Sequence, residues 1–234
     1  MLTDDLLALQ HADTAIDQLT HRRAALPERG TLTAAQAEAA RSRKAVAAII
    51  ARQRELTESV EAAEQHGADL TKKRERLQVQ LKTVISPREA EALMHELDTL
   101  AAERDALDDA ELEALEEQSQ LVDDLAAAHA SEPALASAAE SAAAALAAVE
   151  AEIDTEIGAL TVTRADVASR LDGGVLADYE RRRKHHGGVA VAHLEGRTCS
   201  GCHLDLSTSE FEQVRATPPG QLAECPQCGR ILVP

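Results

Sequence analysis

The chain has 234 residues, enough for one or two ordinary domains, and its formal net charge is −17. Taken alone, such an excess of acid argues against nucleic acid as a partner. The only two aromatic residues, Tyr179 and Phe211, lie near the C-terminus. This excludes an aromatic-rich globular core from the first 171 residues and favours long helices joined by Leu, Val, Ile and Ala.

The charge is unevenly distributed along the chain. Residues 21–88 contain 14 Lys and Arg against 8 Asp and Glu, whereas residues 89–171 contain 3 against 21. A basic segment is therefore followed by a strongly acidic one of similar length. Two helices of opposite charge favour pairing side by side within one chain.

The first predicted element is an amphipathic helix from residue 2 to residue 26, with Leu or Ile at steps of three and four. Pro27 and Gly30 are expected to interrupt it, and Thr33 with Gln36 offers a capping box for a restart. The next helix carries an unbroken heptad pattern typical of a coiled coil. Its seam positions are Val46, Ile49, Gln53, Leu56, Val60, Ala63, Gly67, Leu70, Arg74, Leu77, Leu81 and Val84.

A helix start follows at Ser86-Pro87-Arg88-Glu89, because Ser can cap, Pro suits the first helical position and Glu completes the box. A second apolar seam runs from Ala90 to Leu171, with a kink or restart expected at Ser131-Glu132-Pro133. We predict a mainly α fold in which residues 1–171 form a long, kinked antiparallel coiled-coil hairpin with its tip near residues 84–87. The alternative is one long helix that pairs with a second chain, so the oligomeric state stays open.

Residues 172–234 are predicted to form a linker helix and a small zinc ribbon. Two Cys-x-x-Cys pairs, Cys199 with Cys202 and Cys225 with Cys228, are separated by 22 residues and use all four cysteines. Two such turns facing each other give the tetrahedral sulfur site that zinc prefers, with Gly201 and Gly229 supplying backbone freedom. The expected cofactor is one structural Zn²⁺. Val175–Lys184 is the linker helix, and Val189–Leu194 and Ile231–Val233 are the predicted strands.

Two basic clusters are candidate interaction sites. Arg181, Arg182, Arg183 and Lys184 precede the ribbon and are candidate nucleic-acid contacts, although cations at a helix end also offset the helix dipole. The predicted hairpin tip contains Lys72, Lys73, Arg74, Arg76, Lys82 and Arg88, for which pairing with the facing acidic helix is the favoured interpretation.

The sequence argues against an enzyme. A site closed by four thiolates has no position for an activated water, and the acidic residues and histidines form no pattern of acid–base or nucleophilic catalysis. The N-terminal residues lack the positive start and long apolar run expected of a secretory signal, and no stretch approaches the roughly 20 apolar residues of a membrane span. A cytoplasmic location is therefore expected, with no membrane partner and no small-molecule substrate.

Several short motifs resemble a bacterial family of C4-type zinc-ribbon proteins with a long N-terminal helical hairpin. They are Leu176-Ala-Asp-Tyr179-Glu180, Cys199-Ser-Gly-Cys202-His203-Leu204, Cys225-Pro-Gln-Cys228-Gly229-Arg230-Ile231-Leu232 and Arg88-Glu89-Ala-Glu-Ala-Leu-Met-His95-Glu96-Leu97. The resemblance implies a kinked hairpin ending in a zinc ribbon, with the four cysteines as ligands. It also implies nucleic-acid binding or an adaptor role in transcription or RNA-level regulation. The last residues, Leu232-Val233-Pro234, lack the aromatic residue expected there.

Two functions follow. The first is a non-enzymatic, zinc-binding coiled-coil adaptor that acts through a protein partner in transcription or RNA-level regulation. The alternative is direct nucleic-acid binding through the ribbon and the adjacent run of Arg181–Lys184.

Overall fold

The structure, a computed structural model, describes residues 2–218 and 221–233. Pro234, on which the expectation about the terminal residues partly rests, lies outside them. Three long helices come first: α1 (Leu2–Ala24), α2 (Pro27–Thr83) and α3 (Pro87–Ser169). They are followed by α4 (Gly173–His185), β1 (Val191–Glu195), β2 (Thr198–Cys199), α5 (Thr208–Arg215), β3 (Ala223–Glu224) and β4 (Ile231–Val233).

The expected restart at Thr33 is wrong. Helix α2 already begins at Pro27 and continues through Gly30 and Thr33. Proline is tolerated at the first helical position, because the backbone N–H that it lacks would have no partner there. Likewise α3 does not restart near Pro133 but continues through it to Ser169. The break between α2 and α3 falls at residues 84–86, where the sequence predicts the turn.

The described residues pack into two compact units. One comprises residues 32–142, the central parts of α2 and α3 with the turn between them. Here Leu70 and Leu77 of α2 are buried with Leu100 of α3, as the heptad pattern predicts. Charged pairs flank this seam: the Arg52 guanidinium donates to Glu117 at 2.7 Å, and Lys73 lies 3.1 Å from Glu96. The basic helix thus pairs with the acidic one in the same chain.

The other unit comprises residues up to 31 and from 143 onward. It joins α1, the adjacent ends of α2 and α3, α4 and the four-stranded sheet. The strand order is β2-β1-β4-β3, with β1 parallel to β4 and the two edge strands antiparallel to their neighbours. This grouping differs from the boundary that we predict between residues 171 and 172, since the ribbon packs with both chain ends of the hairpin.

Helix α3 contains a more apolar stretch than expected from the sequence. One window of 18 residues has a mean hydropathy of 1.3, enough by length and composition to cross a membrane, and 11% of it is buried. Alanine accounts for much of this value, with runs such as Ala142–Ala145. A single helix of this kind is weak evidence, and the described part of the chain gives no clear sign of a membrane protein.

Candidate metal centre and its attachment to the hairpin

Two tight turns bring the four cysteines together. Cys199 ends β2 and Cys202 follows in the next turn, while Cys225 comes directly after β3 and Cys228 lies shortly before β4. Their Sγ atoms all lie within 4.8 Å of one another, which is close to the separation of about 3.8 Å expected for tetrahedral sulfur ligands with Zn–S bonds of about 2.3 Å. Within the described residues, no other group of three or more Cys, His, Asp and Glu side chains clusters in this way.

The two turns repeat the same backbone hydrogen bonds. The amide N–H of Cys199 donates to the carbonyl of Leu204, and the N–H of Cys225 donates to that of Arg230. The residue four positions after each of these cysteines adopts a left-handed conformation, with φ of 60° at His203 and 73° at Gly229. The exposed His203 therefore takes part in the turn through its backbone.

Gly201 has a different role from the one predicted. Its backbone is not left-handed, but a Cβ placed there would lie 3.0 Å from the Cβ of Ala192 and 2.6 Å from the Cδ of Arg230. Close packing against β1 and the Arg230 side chain, rather than conformational freedom, favours glycine at this position.

The site is built for an ion. Cys199 and Cys225 are buried, and Cys202 and Cys228 are half-buried. Burial raises the pKa of the Cys225 thiol to about 12, so this sulfur is protonated at neutral pH without an ion. Metal binding must displace that proton, and the bound ion then links the four sulfur atoms.

The sheet connects this site to the helices. Alternate residues of a strand point to opposite faces. Val191, Ile231 and Val233 pack with Leu6 and Leu9 of α1, Val167 and Leu171 near the end of α3, and Tyr179 of α4. Ala192 and Leu232, from the same two strands, pack with Cys199, Cys225, Leu206 and Val214 on the side of the metal centre. Strands β1 and β4 are thus shared by two cores.

Gln10 of α1 holds the start of β1. Its side-chain oxygen accepts from the backbone N–H groups of Ala190 and Val191 at 2.6 and 3.2 Å, and its nitrogen donates to the carbonyl of Gly188 at 2.8 Å. The residue is 4% exposed. One amide side chain therefore satisfies three backbone groups at the point where the chain enters the ribbon. This role of Gln10 was not predicted from the sequence.

Asp13, one turn after Gln10, is the centre of a buried polar cluster. The carboxylate is 2% exposed and accepts from the Tyr179 hydroxyl at 2.7 Å and from the Arg164 guanidinium at 2.7 Å. The guanidinium of Arg183 lies 3.5 Å away. Charge-assisted contacts from α3 and α4 thus meet at one carboxylate of α1. We name Asp13, Arg164, Tyr179 and Arg183 the joint cluster.

The joint cluster makes alkaline pH destabilising. Burial and the hydrogen bond to Asp13 raise the pKa of Tyr179 above its ordinary value near 10. The unfolded chain therefore loses the phenolic proton first, and stability falls by about 1.4 kcal/mol per pH unit above pH 10. Tyr179 is the only tyrosine and there is no tryptophan, so absorbance at 295 nm reports this group alone. We expect ionisation to coincide with unfolding measured by circular dichroism. A separate transition near pH 10 in the folded protein would contradict this.

Two residues of the predicted basic run contact other elements of the fold, and two are exposed. Arg182 donates to Asp178 at 2.8 Å, and it also contacts Glu224 of β3 and the carbonyl of Gly229. Arg183 donates to Asp17 of α1 at 2.8 Å. Arg181 pairs with Asp178 within α4 but is exposed, as is Lys184. Two of the four predicted nucleic-acid contacts therefore connect α4 with the ribbon and with α1.

Near the turn between α2 and α3, some of the basic residues form ion pairs and others do not. Lys73 pairs with Glu96 of the facing helix and Lys72 with Asp69 of its own helix. Arg76, Lys82 and Arg88 are exposed and make no ion pair within residues 2–218 and 221–233. Beside them Ile85 is 96% exposed. Pairing with the facing helix thus accounts for part of the positive charge.

Comparison with known proteins identifies both parts of the chain. Residues 9–187 match the model of the CT398-like coiled-coil hairpin domain, which covers most of the sequence. The chain belongs to this family. Residues 198–232 match the C4-type zinc ribbon domain. Together with the clustered cysteines, this match supports one structural zinc ion in the chain, and both families are structural or binding domains rather than enzymes.

Similar proteins share this organisation over nearly their whole length. The uncharacterized protein Rv2229c of Mycobacterium tuberculosis is 29% identical over 229 residues, which cover 97% of this chain and 93% of the relative. A solved structure from Mycobacterium smegmatis has a TM-score of 0.78 at 22% identity, covering 99% of this chain and 97% of that one. CT398 from Chlamydia trachomatis also gives 0.78, at 23% identity, with 99% and 96% covered. These structures establish the fold.

Proposed function

We propose that the chain is a non-enzymatic, cytoplasmic adaptor that acts through a protein partner in transcription or RNA-level regulation. Cys199, Cys202, Cys225 and Cys228 are the four zinc ligands in this proposal. With four thiolates around one ion, no coordination position is open for water or substrate, so the zinc stabilises the ribbon and does no chemistry. The class of partner is suggested by the family resemblance and by the long helical surfaces.

The ion pairs within the basic run favour a protein partner over nucleic acid. Arg182 and Arg183, at the centre of the basic run, are engaged by Asp178, Glu224 and Asp17 inside the fold. A phosphate would have to displace these carboxylates. Helix α3 meanwhile exposes acidic residues along most of its length, and these repel a polyanion.

The proposal is tested by affinity capture of the zinc-loaded chain from its own cells, with and without nuclease. We expect a specific protein to be recovered in both samples, because the contact needs no nucleic acid. Recovery of nucleic acid alone, or loss of every protein after nuclease treatment, would overturn the adaptor function. A chain treated with chelator shows which contacts need the folded ribbon.

Direct nucleic-acid binding is the second candidate, since Arg181 and Lys184 leave cationic ends exposed beside the ribbon. The measurement is binding of a labelled RNA or DNA at increasing salt, comparing the wild type with Arg181→Ala/Lys184→Ala. Contacts to phosphates would give an affinity that falls steeply with salt, and a smaller slope in the variant. Absence of binding at low salt would exclude this candidate.

A further inference from the structure

Helix α3 carries a second row of apolar side chains besides the seam that faces α2. Leu112, Leu115 and Val122 are 59%, 45% and 58% exposed. Leu115 and Val122 are seven residues apart and so lie on one stripe of the helix. On α2, Ile50 is 51% exposed. Scattered apolar residues are ordinary on a surface, but a row with heptad spacing is the pattern by which helices pair.

Ile50 and the row on α3 lie on the same side of the hairpin. Arg43 is seven residues before Ile50, so the two lie on the same stripe of α2. Ala136 is fourteen residues after Val122, so these two lie on the same stripe of α3. Both Arg43 and Ala136 line one groove between α2 and α3, of about 310 Å³, together with Ala39, Leu135 and Ala139. The exposed residues therefore continue this groove. We name Ile50, Leu112, Leu115 and Val122 the lateral face.

The edge of the lateral face is acidic and lacks partners. Asp109, Glu116 and Asp123 also follow a seven-residue spacing, and they lie beside the apolar row. All three are exposed and make no hydrogen bond or ion pair with the residues that the structure describes. Between Asp105 and Ala142, α3 contains 11 acidic residues and no Lys or Arg. These solvated carboxylates are therefore available to cationic side chains of another molecule.

We propose that the lateral face binds an amphipathic helix of a partner protein, with apolar residues at heptad spacing and Lys or Arg along one edge. This inference rests on the proposed adaptor function and specifies its contact surface. A third helix fits because a groove between two paired helices accepts side chains at the same spacing. Cations at seven-residue intervals would meet Asp109, Glu116 and Asp123, as edge charges do in coiled coils.

A second copy of this chain fits less well. Its basic helix, α2, already uses its apolar seam to pair with α3. Its longest helix, α3, is acidic and would bring like charges together at the acidic edge of the lateral face. The occupant that the charges favour is therefore a different, basic helix.

The test uses a labelled synthetic peptide of four heptads, with Leu at both seam positions and Lys at both edge positions. Binding to the full zinc-loaded chain is measured by fluorescence anisotropy. A peptide of the same composition in scrambled order controls for simple attraction to an acidic protein. We expect the heptad peptide to bind at least about tenfold more tightly than the scrambled one, because only the first presents an apolar seam. Equal binding of the two peptides would overturn the inference.

Variants then locate the site. Leu115→Ser/Val122→Ser removes apolar groups that are already half exposed, so the hairpin should fold, and affinity should fall about ten- to hundredfold. Val162→Ser, at a residue of the same helix that is 72% exposed, is the matched control and should bind like the wild type. Asp109→Asn/Glu116→Gln/Asp123→Asn should weaken binding and reduce its dependence on salt. Unchanged binding by the Leu115→Ser/Val122→Ser variant would contradict the assignment.

Two further outcomes separate this inference from the adaptor function. If the natural partner is captured equally well by the Leu115→Ser/Val122→Ser variant, the adaptor function stands and the lateral face is not its contact. If the wild type sediments as a dimer and this variant as a monomer, the occupant is a second copy and the inference is wrong.

Discussion

Replacing Cys225 by serine is expected to abolish stoichiometric zinc binding and to unfold the ribbon. Structural zinc contributes roughly 10–16 kcal/mol in small zinc domains, far more than the few apolar side chains of this ribbon can replace. Zinc content by mass spectrometry should fall from one ion per chain to none. Far-ultraviolet circular dichroism should change little, because α1, α2 and α3 contain 23, 57 and 83 residues whereas α5 contains 8.

The shared strands add a local consequence to this prediction. Since β1 and β4 also contribute Val191 and Ile231 to the core around α1 and α4, hydrogen exchange should accelerate there as well. Residues 32–142 should keep their protection. The control is wild-type protein treated with chelator. Added zinc should restore the protection of the ribbon in this sample but not in the Cys225→Ser chain. Loss of protection throughout residues 32–142 would show that the two units do not fold separately.

Replacing Asp13 by alanine should destabilise the unit that contains α1 and the ribbon by about 2–3 kcal/mol, because buried hydrogen bonds to a charged group are lost. The substitution removes the buried carboxylate of the two that Arg164 contacts, the other being Glu180, and leaves the Tyr179 hydroxyl without an acceptor. Urea unfolding followed by circular dichroism, together with hydrogen exchange at α1 and α4, measures the loss.

Asp17→Ala is the matched control for this change. Asp17 lies one turn further along α1 and pairs with Arg183, but its side chain is 44% exposed. Exposed ion pairs contribute about 0–1 kcal/mol, so the loss should be small. Arg164→Met should recover part of the stability in the Asp13→Ala background, because it removes a half-buried guanidinium that has kept only its contact with Glu180. Equal effects of the Asp13 and Asp17 changes would show that burial at the joint cluster is unimportant.

Much of this fold could be predicted because its signals are local. The turn at residues 84–86 follows from Ser86 and Pro87, and the metal centre follows from the spacing of the cysteines. Helix α4 and the strands β1 and β4 also lie where apolar patterning places them. Thr33 was misleading, since a capping pattern inside a long helix is outweighed by helix continuity from Pro27.

The joint cluster was missed because its contacts are distant in sequence. Asp13 is 151 residues from Arg164 and 166 from Tyr179 along the chain. A signal was nevertheless present in α1. Leu2, Leu6, Leu9 and Ile16 follow steps of four, three and seven, and Asp13 occupies the position that the last step passes over. A charged residue on an otherwise apolar stripe predicts a buried partner. Arg164 of α3 and Tyr179 of α4 are these partners.

The packing of α1 against the ribbon has a consequence for the order of events during synthesis. Leu6 and Ile231 share one core, so the core around α1 cannot be completed until β4 has emerged from the ribosome. At about 5–20 residues per second, this delay amounts to roughly 10–45 seconds. Residues 32–142 contain both of their own pairing helices and can form a hairpin in that interval. The nascent chain would therefore complete its middle before its ends, with Leu6 and Leu9 exposed to chaperones until zinc binding and strand pairing close the core.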